Sequence, residues 1–385
     1  MKPSQLERIG VWSLYGFVAA LQVSIAAAQT LLAVMLLCWL GMLITGRARF
    51  AAPAFFRALL VYGVMTLVAT AFSVDPRTSF ADDKQLLLFL IVPAVYEIAR
   101  GPRARTVVHV IITVGALTAV YGIVQYGILH YDNLGQRPQG SMGHYMTYSG
   151  LLMLAATAAA ARLLFETRER VWPALVMPAL LVALALTFTR SAWVGASVGI
   201  ASLLLMKDFR LIGALPVLLA IGIAVAPPPV TQRFYSMFNL TDPTSRDRVA
   251  MMREGVRMIT ADPLTGMGPN MVEREYVRFR DPEAVERVNP HLHNVPLQIA
   301  AERGLPALGA WLWFVGSAAA GLWGLLRTGR HRFLAACGLG ALVAMLGAGL
   351  FEHNFGDSEF LMLFLILITL PFASERAEAA DTPAA

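Results

Sequence analysis

Residues 228–303 of this 385-residue chain hold ten arginines and no lysine, and two histidines, His291 and His293, stand one residue apart. Arginine without lysine points to a particular chemistry. A guanidinium fork binds phosphate or carboxylate through two parallel hydrogen bonds and stays charged in any surroundings. Beside a membrane, such a cluster suggests an anionic ligand, most naturally the diphosphate of a lipid carrier. Four of the arginines have a plainer reading. Arg274, Arg278, Arg280 and Arg287 interleave with Glu273, Glu275, Asp281, Glu283 and Glu286 and are expected to pair with them. Arg190 stands apart, in Thr187-Phe188-Thr189-Arg190-Ser191, between two apolar runs with almost no polar spacer. An ionisable group at membrane depth is costly and usually faces a polar cavity, with snorkelling to the interface as the alternative.

His293 comes just before Asn294 and Pro296, a helix-start signal with Asn294 as the N-cap. The positive end of that helix favours neutral imidazole, which suits His293 to take a proton from a hydroxyl. A capping or interfacial histidine with no catalytic part is the other reading. His291, further from the helix start, is a weaker rival. No spacing of His, Asp and Glu suggests a metal site, and neither metal nor cofactor is expected. Cys38 and Cys337 lie inside apolar runs and read as small buried hydrophobes.

These residues must be positioned by membrane helices. The chain is 57% apolar and only 15% charged, and apolar runs recur from Leu14 to Phe372. Soluble chains carry roughly a quarter charged residues. The runs are long, unbroken and rich in Leu, Ala and Val, so barrel alternation is excluded and an all-α polytopic membrane protein remains. We place about twelve spans at about 11–26, 29–46, 54–73, 85–99, 106–128, 143–165, 172–189, 191–206, 210–227, 304–326, 333–351 and 357–373. The first helix is expected to be retained, because no cleavage site with a polar mature sequence follows it.

Charge placement orients the spans. One set of alternate loops carries Lys2, Arg8, Arg47, Arg49, Arg100, Arg103, Arg105, Arg168, Arg170, Lys207, Arg210, Arg327, Arg330, Arg332 and Arg376; the short loops of the other carry only Arg77, Lys84, Arg137 and Arg190. The positive-inside rule makes the first set cytoplasmic, with both termini inside. The net charge of +6 therefore reflects topology, and no nucleic-acid partner is inferred. Three units follow: a membrane bundle over 1–227 (about nine spans), a large periplasmic helical loop over 228–303, and about three further spans with a cytoplasmic tail over 304–385. Within the loop, a helix is expected from Thr244 to Thr260. A Thr or Ser caps it, Asp247 stands in its first turn, and Val249, Met252, Val256 and Ile259 form an apolar stripe; it stops at Asp262-Pro263.

Three patches resemble the O-antigen ligase and polymerase superfamily of bacterial inner membranes. The first is Thr187-Phe188-Thr189-Arg190-Ser191-Ala192-Trp193. The second is Ser245-x-x-Arg248 with Met252 where the family often has Trp, continuing to Pro263-Leu264-x-Gly266-x-Gly268. The third is His293-Asn294 followed, after nine residues, by Gly304, with Ala307 as a departure. The resemblance implies a GT-C-like fold. It also implies an inverting, metal-independent glycosyltransferase that moves polysaccharide from undecaprenyl diphosphate to a hydroxyl of lipid A–core at the periplasmic face of a Gram-negative inner membrane. Arg190 and Arg248 would match the arginines that hold the donor diphosphate, with Arg246 as an alternative to Arg248, and His293 would match the essential histidine. Glu352, His353 and Asp357, between the last two spans, could line the acceptor path, and His291 and Asn294 are further accessory candidates.

Rival readings share these residues. An O-antigen polymerase more often shows two sizeable periplasmic loops, and a protein O-oligosaccharyltransferase usually has an extra C-terminal region. A transporter of an anionic lipid or sugar would use the arginines to bind without catalysing, but neither an internal repeat nor a Gly/Pro-broken helix pair at mid-membrane is seen.

Overall fold

The structure, a computed structural model, describes residues 5–239, 241–328 and 331–381, with side chains as far as residue 376. Lys2 and Arg330 of the charge pattern lie outside the described residues. Sixteen α-helices and no strand are present among the described residues. In chain order they are α1 (Gln5–Ala20), α2 (Ile25–Ile44), α3 (Phe55–Ala71), α4 (Pro76–Asp82), α5 (Ile91–Ile98), α6 (Pro102–Gly127), α7 (Tyr145–Phe165) and α8 (Val171–Leu186). Then come α9 (Arg190–Lys207), α10 (Ala214–Val225), α11 (Pro228–Tyr235), α12 (Pro243–Ala261), α13 (Val272–Phe279), α14 (Val295–Thr328), α15 (Arg332–Gly349) and α16 (Ser358–Asp381). Six of these (α2, α6, α7, α14, α15 and α16) are long and apolar enough to cross a membrane, and α3, α8 and the stretch Phe209–Val225 are shorter apolar helices. This is the architecture of an all-α, multi-pass membrane protein.

The expected span at 85–99 departs from a regular helix: Asp83–Leu90 is a 3₁₀ helix and only Ile91–Ile98 is α. A 3₁₀ rise of about 2.0 Å per residue and an α rise of about 1.5 Å give the pair a reach of roughly 28 Å, close to the hydrocarbon thickness.

The seam between α9 and α15 sets the site. It is built from small residues, which let two backbones meet closely where lipid supplies no hydrophobic drive. A Cβ at Gly195 would stand 2.7 Å from the Ala344 carbonyl oxygen, and one at Gly199 2.9 Å from the Ala344 Cβ. The two helices run antiparallel. The N-terminus of α9, Arg190, therefore sits at the same end as the C-terminus of α15 and the turn that follows it.

The glycines of the second and third patches form a lock on α14. That helix breaks at Gly304 (φ 79°, ψ 169°). The freed backbone groups are taken by the 263–268 turn: Met267 N donates to Ala301 O (3.0 Å), Gly268 N to Glu302 O (2.9 Å) and Leu305 N to Pro263 O (2.8 Å). A Cβ on Gly304 would lie 2.2 Å from Leu264 O, and one on Gly266 2.4 Å from the Glu302 carbonyl carbon. Gly304→Ala is thus expected to destabilise strongly, with about 1–2 kcal/mol from the left-handed backbone alone and more from the clash. Gly309→Ala, on the same helix with nothing within 4 Å of a Cβ, is expected to be neutral or slightly stabilising. Thermal unfolding in detergent compares them, and equal melting temperatures would remove the lock.

Within residues 228–303, Met251, Met258, Met267, Met271, Val272, Tyr276 and Leu292 build a second, smaller core. The α12 cap is Asp242 with Pro243 at the first position, in place of the expected Thr or Ser: Asp242 Oδ1 accepts from Thr244 N (3.1 Å). Asp247 does not serve the helix start. Its carboxylate is buried and accepts from Val285 N (2.9 Å) and Glu286 N (3.1 Å), which ties down the following loop. The arginine–acid pairing is partly as expected, with Arg278 on Glu275, but Arg274 reaches Asp75 and Arg280 holds backbone carbonyls of Ala284 and Glu286.

Candidate functional site

The sequence Thr187–Arg190 joins α8 to α9 in a turn so short that Phe188 takes a left-handed backbone (φ 54°). This strain delivers Arg190 as the first residue of α9, where its guanidinium meets α12. Nη2 donates to Asp242 Oδ1 (3.2 Å), and Nη1 to Ser236 O (3.4 Å) and Ser245 Oγ (3.5 Å). Burial works against Asp242 ionising, but the Arg190 bond and charge outweigh it and hold the carboxyl below its ordinary range.

Arg248 lies further along α12 and forms neither a hydrogen bond nor an ion pair among the described residues. Two arginines that no expectation included join it. Arg233 of α11 donates from Nε to Phe188 O (3.4 Å), and Arg137, from the loop between α6 and α7, stacks 4.2 Å above the Tyr145 ring. Arg137, Arg190, Arg233 and Arg248 line one cavity of about 250 Å³ together with His293 and Glu352. Burial, then mutual repulsion, lowers the pKa of three of them, and Arg233 falls to about 10. Asp247, Glu286 and Glu352 also line the cavity, but of the four arginines only Arg190 has a carboxylate partner among the described residues, Asp242, so the other three guanidiniums are free to bind a multiply charged anion.

His293 closes this cavity in a strained, left-handed backbone (φ 48°). Asn294 caps α14 as expected, its Oδ1 accepting from Leu297 N (2.9 Å) while its amide donates to Leu350 O (3.1 Å). His293 Nδ1 lies 3.0 Å from Glu352 Oε1. Burial opposes ionisation of Glu352, but the His293 bond and charge and then His291 prevail and hold its pKa at about 2. An ionised carboxylate only accepts, so Nδ1–H donates, and in the neutral form of the ring Nε2 keeps its lone pair. That is the tautomer of a general base.

The remaining expectations sort by position. Arg246 is exposed and turned away from Arg248, because two residues along a helix are about 200° apart. His291 and His353 gather around Glu352, with ring centroids of His291 and His293 4.2 Å apart and of His291 and His353 5.8 Å apart. Asp357 binds Thr147 Oγ1 (2.5 Å) and caps α16 through Phe360 N (2.9 Å). Folding also makes a cluster that linear spacing did not announce: His291, His293 and Glu352 offer three ligand atoms within 4.8 Å of one another.

The apolar stripe of α12 is exposed, not buried. Val249, Met252 and Val256 face outward, while Ala250, Met251 and Met258 pack inward. Val249 and Met252 join Val194, Met237, Leu292 and Phe351 in an apolar cleft of about 270 Å³ that opens onto Arg190, Arg248 and His293.

A family model described as O-antigen ligase matches residues 174–312, a little over a third of the chain, and takes in Arg190, Arg248 and His293. No curated protein matches the sequence. Arg137 and Glu352, which complete the cavity, lie outside the matched stretch. The three patches, their convergence on one cavity and the match over residues 174–312 agree: this stretch is similar to the O-antigen ligase domain, which supports the O-antigen ligase superfamily.

Proposed function

We propose that the chain is an O-antigen ligase of a Gram-negative inner membrane. It would transfer polysaccharide from undecaprenyl diphosphate to a hydroxyl of lipid A–core, with inversion and without a metal. About twelve crossings, the six long helices with α1, α3, Asp83–Ile98, α8, α9 and Phe209–Val225, would put both termini in the cytoplasm and the site at the periplasmic face. Residues 1–227 and 304–385 then form the membrane bundle, and 228–303 the periplasmic loop. The arginine clusters held by acids at the far end of the bundle, Glu97 with Arg100 and Arg376 and Arg105 with Glu166, support that orientation.

One observation carries the reading: four guanidiniums face a histidine held by a carboxylate across a single cavity, with an apolar cleft opening beside them. The diphosphate would lie among Arg137, Arg190, Arg233 and Arg248, and the polyprenyl chain along Val249 and Met252. His293 Nε2 takes the proton of the acceptor hydroxyl as its oxygen attacks the anomeric carbon. The bond to the diphosphate oxygen breaks, and the added negative charge falls on the guanidiniums, a role otherwise given to a divalent ion.

The test is transfer by purified protein from undecaprenyl-diphosphate polysaccharide to lipid A–core with excess chelator. Product supports the ligase. Elongation of the lipid-linked chain instead would make it a polymerase, transfer to a peptide serine or threonine a protein transferase, and donor binding without any product a transporter. A further expectation concerns added Zn²⁺. His291, His293 and Glu352 could take it up, which would occupy the base, so micromolar Zn²⁺ is expected to inhibit reversibly and His291→Ala to relieve much of that inhibition. Equal inhibition of both proteins would place the ion elsewhere.

A further inference from the structure

A second cavity, of about 210 Å³, lies between α7, α9 and the turn from α15 to α16. It shares Met146, Thr189, Ser191 and Glu352 with the arginine cavity, but its electrostatics differ. No arginine or lysine lines it. Asp357 and Glu352 do, together with the imidazoles of His144, His291 and His353.

Unpartnered polar atoms collect around this space. Glu352 Oε2, Asn354 Oδ1, His291 Nδ1 and His353 Nδ1 are buried without a hydrogen-bond partner. Glu352 and Asn354 are only 8% and 7% exposed. Buried polar groups are nearly always satisfied, so four orphans around one cavity call for a ligand. Two of the four can only accept, so the ligand must bring donors. Phe360, Met153 and Ala192 line the same cavity and give it apolar surface as well. Hydroxyl donors on one edge and C–H groups on a face describe a sugar ring, and the volume suits one ring, not a chain.

We propose that this cavity is the acceptor subsite and that it seats the reacting sugar as a neutral, hydroxyl-rich ring, excluding a ring that bears phosphate or carboxylate. The inference rests on the transfer reading above. Its reason is charge sorting: two carboxylates and no cation repel an anionic ring, while the donor's diphosphate is drawn next door. The acceptor hydroxyl passes the shared wall at Glu352, 3.0 Å from His293.

Two variants of the full-length protein test it. Asp357→Asn keeps the volume and the helix cap but alters the polar lining, and His144→Ala trims an exposed rim residue. Asp357→Asn is expected to raise the KM for lipid A–core about tenfold, and His144→Ala a few-fold, with donor KM within about twofold of wild type. Equal changes in both KM values, or none, would overturn the subsite. Saturation-transfer NMR with lipid-free core oligosaccharide and no donor separates this inference from the functional one. Binding of the dephosphorylated oligosaccharide, weakened by Asp357→Asn and absent for the phosphorylated form, supports the cavity even if the wild type makes no ligation product and the ligase reading fails. Preferred binding of the phosphorylated form, or normal turnover with no effect of either variant, sinks the cavity alone.

Discussion

Arg248→Ala is expected to lower polysaccharide transfer by about a hundred- to a thousandfold, the loss typical of removing one preorganised group from a developing oxyanion. The geometry singles out this arginine among the four. Arg190 is tethered to Asp242, Ser236 and Ser245, and Arg233 is anchored on Phe188 O, whereas Arg248 has no hydrogen-bond partner among the described residues. Burial and Arg190 lower its pKa, Glu352 opposes the shift, and a guanidinium remains charged all the same. It is held desolvated and without a direct hydrogen-bond partner, so little must be undone when the diphosphate arrives. Arg248→Lys keeps the charge but not the fork and is expected to recover only part of the loss. Arg246→Ala, two residues away and exposed, should transfer near the wild-type rate. Single-turnover rates with saturating donor make the comparison. If Arg246→Ala were as damaging as Arg248→Ala, the assignment of the clamp to Arg248 would be wrong.

Arg190, Arg248 and His293 were legible because each sits in a local pattern: an arginine with no polar spacer, a short helical motif, a histidine before a helix start. The bundle was legible from apolar runs alone. Arg137 and Arg233 were not, because one lies in a loop of mixed composition and the other on an eight-residue helix; only the fold brings them to Phe188 and Tyr145. Glu352 was read as lining the acceptor path and not as the partner of His293, since the two are 59 positions apart and nothing local marks the pair. The outward turn of Val249, Met252 and Val256 has another cause. Period alone marks a stripe but not its direction, and beside a bilayer an apolar stripe gains as much facing lipid as facing a core. The glycines at 266, 268 and 304 were visible as a motif, but their purpose, closing a backbone lock on α14, needed the contact itself.

His293→Ala should abolish most transfer, by about 10²–10⁴-fold, if Nε2 is the base. Glu352→Gln tests how that base is set. The amide matches the carboxylate in size but can offer Nδ1 a donor as readily as an acceptor, which would favour the tautomer with its proton on Nε2, and a loss of about a hundredfold is expected. The donor KM should stay unchanged, because the arginines are untouched. A stability readout accompanies the rate. Glu352 is held at about 2, below the ordinary glutamate value of 4.5, so its ionised form favours the folded state. A depressed carboxyl contributes its full stabilisation above the ordinary value and loses it as pH falls through the folded one. The contribution is at most about 3 kcal/mol, present at pH 7 and fading from about pH 4.5 to 2. Glu352→Gln should therefore melt lower than wild type at pH 7, with the gap narrowing in acid. A variant that melts lower yet transfers at the wild-type rate would make the pair a structural fastening, and His293 would orient the acceptor hydroxyl without taking its proton.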